Sequence, residues 1–361
     1  MVYYIILFVY TVLVQYAFRN VKGKEKTYMF LTLLPLFLYG ALRVSCGDYE
    51  IYEQYNGWVR SSGSQIFDVI ERMEPGYAYL NKLFSYRWVI VICSLFSCYA
   101  YGYLIVKLVP QQYRWFYFFL FFIVGDKTFY FMFSSIRNSI SISILLIYLA
   151  YRINNQNRKQ SIIKDLVSLV LITVFAGSFH ASAYMFFPIA YLATVDRKIS
   201  SIEIYIWLVV LGLLWIIPID QLVNENWLVQ TDYFSRYDEY VEDNRNAGVL
   251  AKVGATIFAL LCLACIRFNA KEILNGPIAR LVLLFVYSYM LGSLNMRVSY
   301  YFIPFAIVHF TFVYANRKKN AWMIALLLFS LAFLFYSSFV AGNFAGGLSS
   351  PFVAYKISIF L

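Results

Sequence analysis

Charge is what this sequence has least of. Asp, Glu, Lys and Arg make up 14% of 361 residues, while 61% are hydrophobic and the mean hydropathy is +0.65. A soluble globular domain carries about a quarter charged residues, so the shortage excludes that class and points to a polytopic membrane protein. Histidine is nearly absent, with His180 and His309 alone, and no conventional cluster of metal ligands exists. Of the 5 cysteines, Cys93, Cys98, Cys262 and Cys265 sit inside apolar runs and Cys46 lies apart. "CLAC" (262–265) lacks the polar surroundings of a zinc or redox site, and no disulfide framework is implied. No metal and no cofactor are expected. Internal repeats and low-complexity tracts are also missing. No basic residue precedes the first apolar run, "VYYIILFVYTVLVQYAF" (2–18), while a basic cluster follows it. A cleaved signal peptide has the reverse order, so this run is expected to be a retained first membrane helix with its N-terminus outside.

What is present is a series of apolar runs, near 2–18, 28–42, 88–109, 115–134, 136–151, 163–178, 181–195, 202–217, 251–267, 279–294, 299–315 and 321–339. At about 20 residues per span, with breaks at 134–137 and 178–181 that could be kinks, they predict an all-α polytopic protein of roughly 10–13 transmembrane helices. Residues 1–361 are expected to form one integral membrane domain. The 30 basic residues outnumber the 19 acidic ones. They gather in short clusters between apolar runs, such as "RNVKGKEK" (19–26) and "NRKKN" (316–320), which is the pattern of cytoplasmic loops and not of a nucleic-acid-binding face. With 19–27 cytoplasmic, alternation places Arg114, Arg152, Arg158, Lys159, Arg197, Lys198, Lys271, Arg317, Lys318 and Lys319 on the same side. The long loops 43–87 and 218–250 then face outward. The second carries Asp220, Glu225, Asp232, Asp238, Glu239, Glu242 and Asp243 against Arg236 and Arg245.

The unusual polar residues fall on that outer side. Arg43 and Asp48, in "GALRVSCGDYEIY" (40–52), open the first outer loop, and Glu74 follows in "EPGYAYLN" (74–81), where Pro75 suits the first turn of a short helix. Arg137 in "SSIRNSISIS", His180 in "GSFHASAY" and Arg297 in "NMRVSYYF" sit at outer breaks between apolar runs. Each has an ordinary structural reading. The arginines can snorkel to headgroups, Asp48 can pair with Arg43, and Glu74 can serve as a helix-start acid. His180 can be a satisfied core histidine, as His309 in "FAIVHFTF" is taken to be. Their coincidence on one face favours function, because ionisable groups at membrane depth are costly.

"GALRVSCGDYEIY", "EPGYAYLN", "SSIRNSIS", "FHASA" and "RVSYYF", in this order among hydrophobic segments, resemble the EpsG-like family of Wzy-type polysaccharide polymerases. The closing "SSPFVAYKISIF" is similar to that family's last segment. The resemblance implies a GT-C-like architecture and a lipid-linked glycosyltransferase of the bacterial inner membrane. Its substrates would be oligosaccharide repeat units on undecaprenyl pyrophosphate, joined at the periplasmic face with membrane lipid around them. The growing chain would pass from its lipid onto the non-reducing end of a new unit, and polymerases of this type commonly work with a chain-length regulator.

Under that implication the residue types have roles. The leaving group is a pyrophosphate, and forks at Arg43, Arg137 and Arg297 would hold it with paired charge-assisted hydrogen bonds. Arginine would replace a cation, making the reaction metal-independent. A carboxylate would take the acceptor's proton. Asp48 ranks first, because lipid-linked glycosyltransferases of related architecture often carry an acid in the first outer loop, and Gly47 admits a close approach to the backbone. Glu74 ranks second and His180 third, with positioning of the acceptor or a phosphate as the better use of the histidine. Tyr49, Tyr52, Tyr55, Trp58, Tyr77 and Tyr79 supply either stacking surfaces for sugars or an interfacial aromatic belt. Two other functions compete. A flippase of the same lipid-linked sugars would place cations at mid-membrane and on both faces. A membrane acyltransferase modifying surface glycans would use His180 as its base and make no demand for three outer arginines.

Overall fold

The computed structural model of the protein describes residues 2–45, 49–61, 73–155, 162–194, 198–216, 249–268, 276–288, 290, 295–317, 321–335 and 356–357. Asp48, Cys46, nearly all of the 218–250 loop and several loop cations (Arg158, Lys159, Arg197, Lys271, Lys318, Lys319) lie outside these residues. The described chain is all-α apart from two short strands. It divides into two compact units, one of Met1–Leu192 with Leu334–Leu361, the other of Ala193–Phe333.

The first unit begins with α1 (Val2–Ala17) and α2 (Glu25–Ala41), tied by a hydrogen bond from Gln15 to Thr32 at 2.6 Å. Strand β1 (Arg43–Ser45) follows and pairs antiparallel with β2 (Lys356–Ile357), so the chain's closing segment meets the stretch that opens the first long loop. Next come α3 (Tyr49–Ser61), α4 (Pro75–Leu83) and α5 (Tyr86–Leu108). Helix α5 stops because Val109 precedes Pro110 and takes extended angles, φ −108° and ψ 119°.

The apolar run at 115–134 is not one straight helix. Helix α6 (Arg114–Ile123) gives way to a π turn over Asp126–Tyr130 and then to α7 (Phe131–Ser134). The two arms, Gln111–Ile123 and Lys127–Ser134, are bent by 86°. Thr128 donates to the carbonyl of Phe121 at 2.5 Å, satisfying a backbone group at the bend. Ser135 alone separates α7 from α8 (Ile136–Asn154). The serines of "NSISIS" explain how α8 approaches α5: Ser139 and Ser143, one turn apart, meet Ser97 at 2.9 and 3.2 Å. Small hydroxyl side chains let apolar helices pack closely while satisfying one another. The unit continues with α9 (Ile162–Gly177) and α10 (Ala183–Ala193), so 178–182 is a genuine break.

The second unit holds α11 (Ser201–Ile216), α12 (Val249–Phe268), α13 (Pro277–Ser288), α14 (Asn295–Asn316) and α15 (Ala321–Phe335). Glu203 and Arg280 join the first turns of α11 and α13, and Tyr287 donates to the Trp207 carbonyl at 2.7 Å. His309 is buried in α14.

Among the described residues, two helices, Tyr86–Leu108 and Ile136–Asn154, are long and apolar enough to cross a membrane, with a third span if the bent pair counts as one. Five shorter apolar helices accompany them, Tyr3–Ala17, Ala183–Ala193, Ser201–Ile216, Pro277–Ser288 and Met323–Leu334. Among the described residues, the helices that meet a full span's length are fewer than the apolar windows of the full sequence.

Candidate active site

The site is built on the short helices of the first long loop. Asn56 of α3 donates to the Asn81 side chain at 2.9 Å and to the Phe84 carbonyl at 3.0 Å, which fixes α3 against α4. Their tyrosines fill the seam, with ring centroids 5.6 Å apart for Tyr52–Tyr77 and 6.3 Å for Tyr55–Tyr77. Tyr49, Tyr52 and Tyr77 are buried, so these rings form a local core and not a stacking surface, whereas Tyr79 is exposed.

Glu74 occupies the N-cap position of α4, with Pro75 in the first helical position as its fixed φ favours. Its side chain makes no capping bond to its own helix. The carboxylate instead reaches two other segments. Oε2 accepts from Arg137 Nη1 at 2.7 Å, and Oε1 accepts from the backbone N–H of Ala181 at 3.3 Å. In return, the N–H of Gly76 donates to the Ser178 carbonyl at 2.7 Å. That approach requires glycine: a Cβ on Gly76 would lie 2.4 Å from Ser178 Oγ and 2.9 Å from the Ser178 carbonyl oxygen. "EPGY" and "SFHASA" are thus fastened together.

Arg137, in the first turn of α8, is committed on both sides. It donates through Nε to the Tyr52 hydroxyl at 3.2 Å as well as to Glu74. The Arg137 and Glu74 side chains are 26% and 12% exposed. Burial pushes the Glu74 carboxyl up, but the guanidinium of Arg137 and, after it, His180 act against it. Together with the hydrogen bond from Arg137 they hold it below the ordinary carboxylate value. Glu74 is therefore ionised near neutral pH. Tyr55 feels the same pair; burial raises its phenol above the usual range, against the pull of Arg137.

His180 is buried beside this pair. Its Nδ1 lies 2.6 Å from Ser182 Oγ and accepts from the Ser182 N–H at 3.3 Å. In the neutral form of the ring, an Nδ1 that accepts leaves the single proton on Nε2.

A second polar group gathers at β1. The Arg43 side chain is 2% exposed. Its carbonyl accepts from Arg87 Nη1 at 2.7 Å, and Arg87 is the second residue of α5. Tyr49 and Tyr86 stand beside them, ring centroids 5.0 Å apart. Burial, then Glu53, raises the Tyr49 phenol, while the charges of Arg87 and Arg43 oppose that rise.

Glu74, Arg137 and His180 are thus brought together, and Arg43 lies in the same unit. Arg297 belongs to the first turn of α14 in the other unit, and Asp48 lies outside the described residues. Arg87 and Ser182 were not foreseen, and Tyr52, expected as a stacking or belt aromatic, is instead a hydrogen-bond partner of Arg137. Arg87 has the local setting of an ordinary snorkelling flank of an apolar run, and the one nearby signal of a polar cluster is its neighbour Tyr86. Among the described residues no group of three or more His, Cys, Asp or Glu side chains is placed to share a metal ion.

The sequence model of the EpsG family matches residues 26–357. Comparison with curated proteins and with solved structures returned no match.

Proposed function

The chain belongs to the EpsG family, a family of Wzy-like polysaccharide polymerases, and on that footing we propose that it joins oligosaccharide repeat units carried on undecaprenyl pyrophosphate. We place the reaction at the periplasmic face of the bacterial inner membrane, as the loop charges favour. The observation that carries the chemistry is the Glu74 carboxylate, held by Arg137 at 2.7 Å and by the Ala181 amide beside His180. In the reaction the acceptor hydroxyl oxygen bonds to the donor's anomeric carbon as the bond from that carbon to the lipid pyrophosphate breaks. The electron pair leaves on a phosphate oxygen, and the hydroxyl proton passes to Glu74. A carboxylate held below its usual pKa is a weak base. It suits a proton that leaves late, once bond formation has acidified the hydroxyl. His180 positions the acceptor or a phosphate.

Arg43 neutralises charge developing on the leaving pyrophosphate, and Arg137 acts mainly by orienting Glu74. The assignment of Arg297 to the phosphate rests on its motif, "NMRVSYYF". The ranking of bases from sequence, Asp48 before Glu74, is reversed in this proposal, because Glu74 is tied to both an arginine and the histidine turn. The reaction is taken to need no metal, and a chain-length regulator is a natural partner.

Purified protein in vesicles, supplied with lipid-linked repeat units, gives the test. A ladder of lengthened products that persists in EDTA is expected. Movement of the units across the bilayer without chain growth would identify a flippase instead. A deletion strain whose glycans lose one acyl group at unchanged length would identify an acyltransferase. If Asp48→Asn abolishes the ladder while Glu74→Gln leaves it intact, the base is Asp48.

A further inference from the structure

The two arginines at β1 differ from Arg137 in what their guanidinium groups do. Arg137 is spent on Glu74 and Tyr52. Arg43, though buried, leaves Nη1 without a hydrogen-bond partner among the described residues. Arg87 uses Nη1 on the Arg43 carbonyl, and its Nε and Nη2, both shut off from solvent, have no partner among the described residues. The Tyr86 hydroxyl is buried and unpartnered in the same way. Nε and Nη2 are the adjacent pair on one edge of a guanidinium, the edge that takes two oxygens of one anion side by side. Of the acids on α3, Glu53 is engaged by Tyr49 at 3.5 Å and not by either arginine. A buried Arg43 and a half-buried Arg87 with unspent donors and no paired carboxylate among the described residues are costly, and an anion answers both the charge and the donors.

We propose that Arg87, together with Arg43, is the seat for a phosphate group of the polyprenyl pyrophosphate donor, while Arg137 is a positioning residue for Glu74 and makes no essential phosphate contact. This rests on the polymerase reading above. A phosphate spreads its charge over several oxygens, so one side-on fork from Arg87 leaves oxygens for Arg43 Nη1 and the Tyr86 hydroxyl. The hydrogen bond from Arg87 to the Arg43 backbone, with β1 held by β2, fixes the two donors relative to each other.

The full chain in lipid nanodiscs, titrated with farnesyl pyrophosphate and separately with inorganic phosphate, tests this. Arg87→Lys keeps a donor for the Arg43 carbonyl but lacks the fork, so the affinity for farnesyl pyrophosphate should fall roughly tenfold or more. Arg137→Lys should bind within about twofold of the wild type while its chain growth drops. Equal affinity in Arg87→Lys and wild type overturns the assignment. Hydrogen–deuterium exchange on the unaltered chain gives a second readout that needs no variant. Farnesyl pyrophosphate should slow exchange at 43–45 and 86–88, and slowing confined to other segments overturns the proposal. Affinity that falls severalfold when phosphatidylglycerol is added to phosphatidylcholine discs gives the seat to a lipid headgroup instead. A wild-type protein that neither binds farnesyl pyrophosphate nor lengthens polymer sinks the polymerase reading itself. A wild type that does both, beside an Arg87→Lys variant that binds equally well, sinks only the arginine seat.

Discussion

Glu203 and Arg280 in the second unit meet through both carboxylate oxygens, Nε to Oε1 at 2.5 Å and Nη2 to Oε2 at 3.0 Å. Glu74 and Arg137 in the first unit meet through one oxygen, Nη1 to Oε2 at 2.7 Å, and among the described residues the other oxygen has a long amide contact at 3.3 Å. The residue types are the same and both pairs join distant segments. In the bidentate pair each fork is used up by the other, which suits a fastening between helix ends. In the single-bonded pair the carboxylate is oriented yet keeps acceptor capacity beside a histidine, which suits proton transfer. Geometry, and not residue identity, separates the staple from the candidate base.

Neutralising each carboxylate should separate the two pairs most sharply. Glu74→Gln keeps the size and one acceptor but cannot take a proton, so polymer formation at matched membrane level should fall on the order of a hundredfold or more. Glu203→Gln should show the opposite signature. Removing the charge leaves Arg280 buried without its counter-ion, at a cost of about 3 kcal/mol, read as a lower thermal midpoint with chain growth per folded molecule unchanged. Normal growth in Glu74→Gln, or lost growth in well-folded Glu203→Gln, breaks the comparison.

Gly76→Ala comes next in size. The added methyl would press on Ser178 Oγ and on its carbonyl, pushing the 178–181 turn away from α4 and loosening the amide contact to Glu74. A loss of chain growth of roughly tenfold is expected, with stability lowered by about 1–2 kcal/mol. A second change, Ser178→Gly, removes the side-chain clash but not the carbonyl one, so it should restore only part of the activity. Full activity in Gly76→Ala alone would show that the contact between the two segments does not position the carboxylate.

How much of this could be read from the sequence follows the range of each interaction. Glu74, Arg137 and His180 were legible because costly polar groups at the ends of apolar runs are visible without a structure. The partnership between them was not, because nothing local says that the carboxylate on "EPGY" reaches Ala181 and Arg137 instead of capping its own helix. Arg87 was missed for a related reason: its local setting, "SYRWVI", matches an anchor, and its unspent Nε and Nη2 appear only when the Arg43 backbone is brought to it. The 86° bend between α6 and α7 was hidden in a run counted as one span. "GDKT" (125–128) was its available signal, two charged residues behind a glycine in the middle of an aromatic stretch.

The smallest effect is the most direct probe of the Glu74 environment. The folded carboxyl lies below its ordinary value of 4.5, chiefly because Arg137 and His180 outweigh the burial that would raise it. The unfolded chain therefore takes up the proton at a higher pH than the folded one. Stability from the pair is fully present above about pH 4.5 and is lost as pH falls through the lower folded value. Glu74→Gln has no such titration. Its thermal midpoint should lie below that of the wild type at about pH 7, by an amount equivalent to about 1 kcal/mol, and the gap should begin to shrink near pH 4.5. Glu203→Gln, melted in parallel, supplies the comparison for a carboxylate saturated by its arginine. If the Glu74→Gln gap widens as the pH falls, the folded carboxyl is raised, burial has outweighed Arg137, and a protonated Glu74 would be suited to donating a proton to the leaving group instead of accepting one.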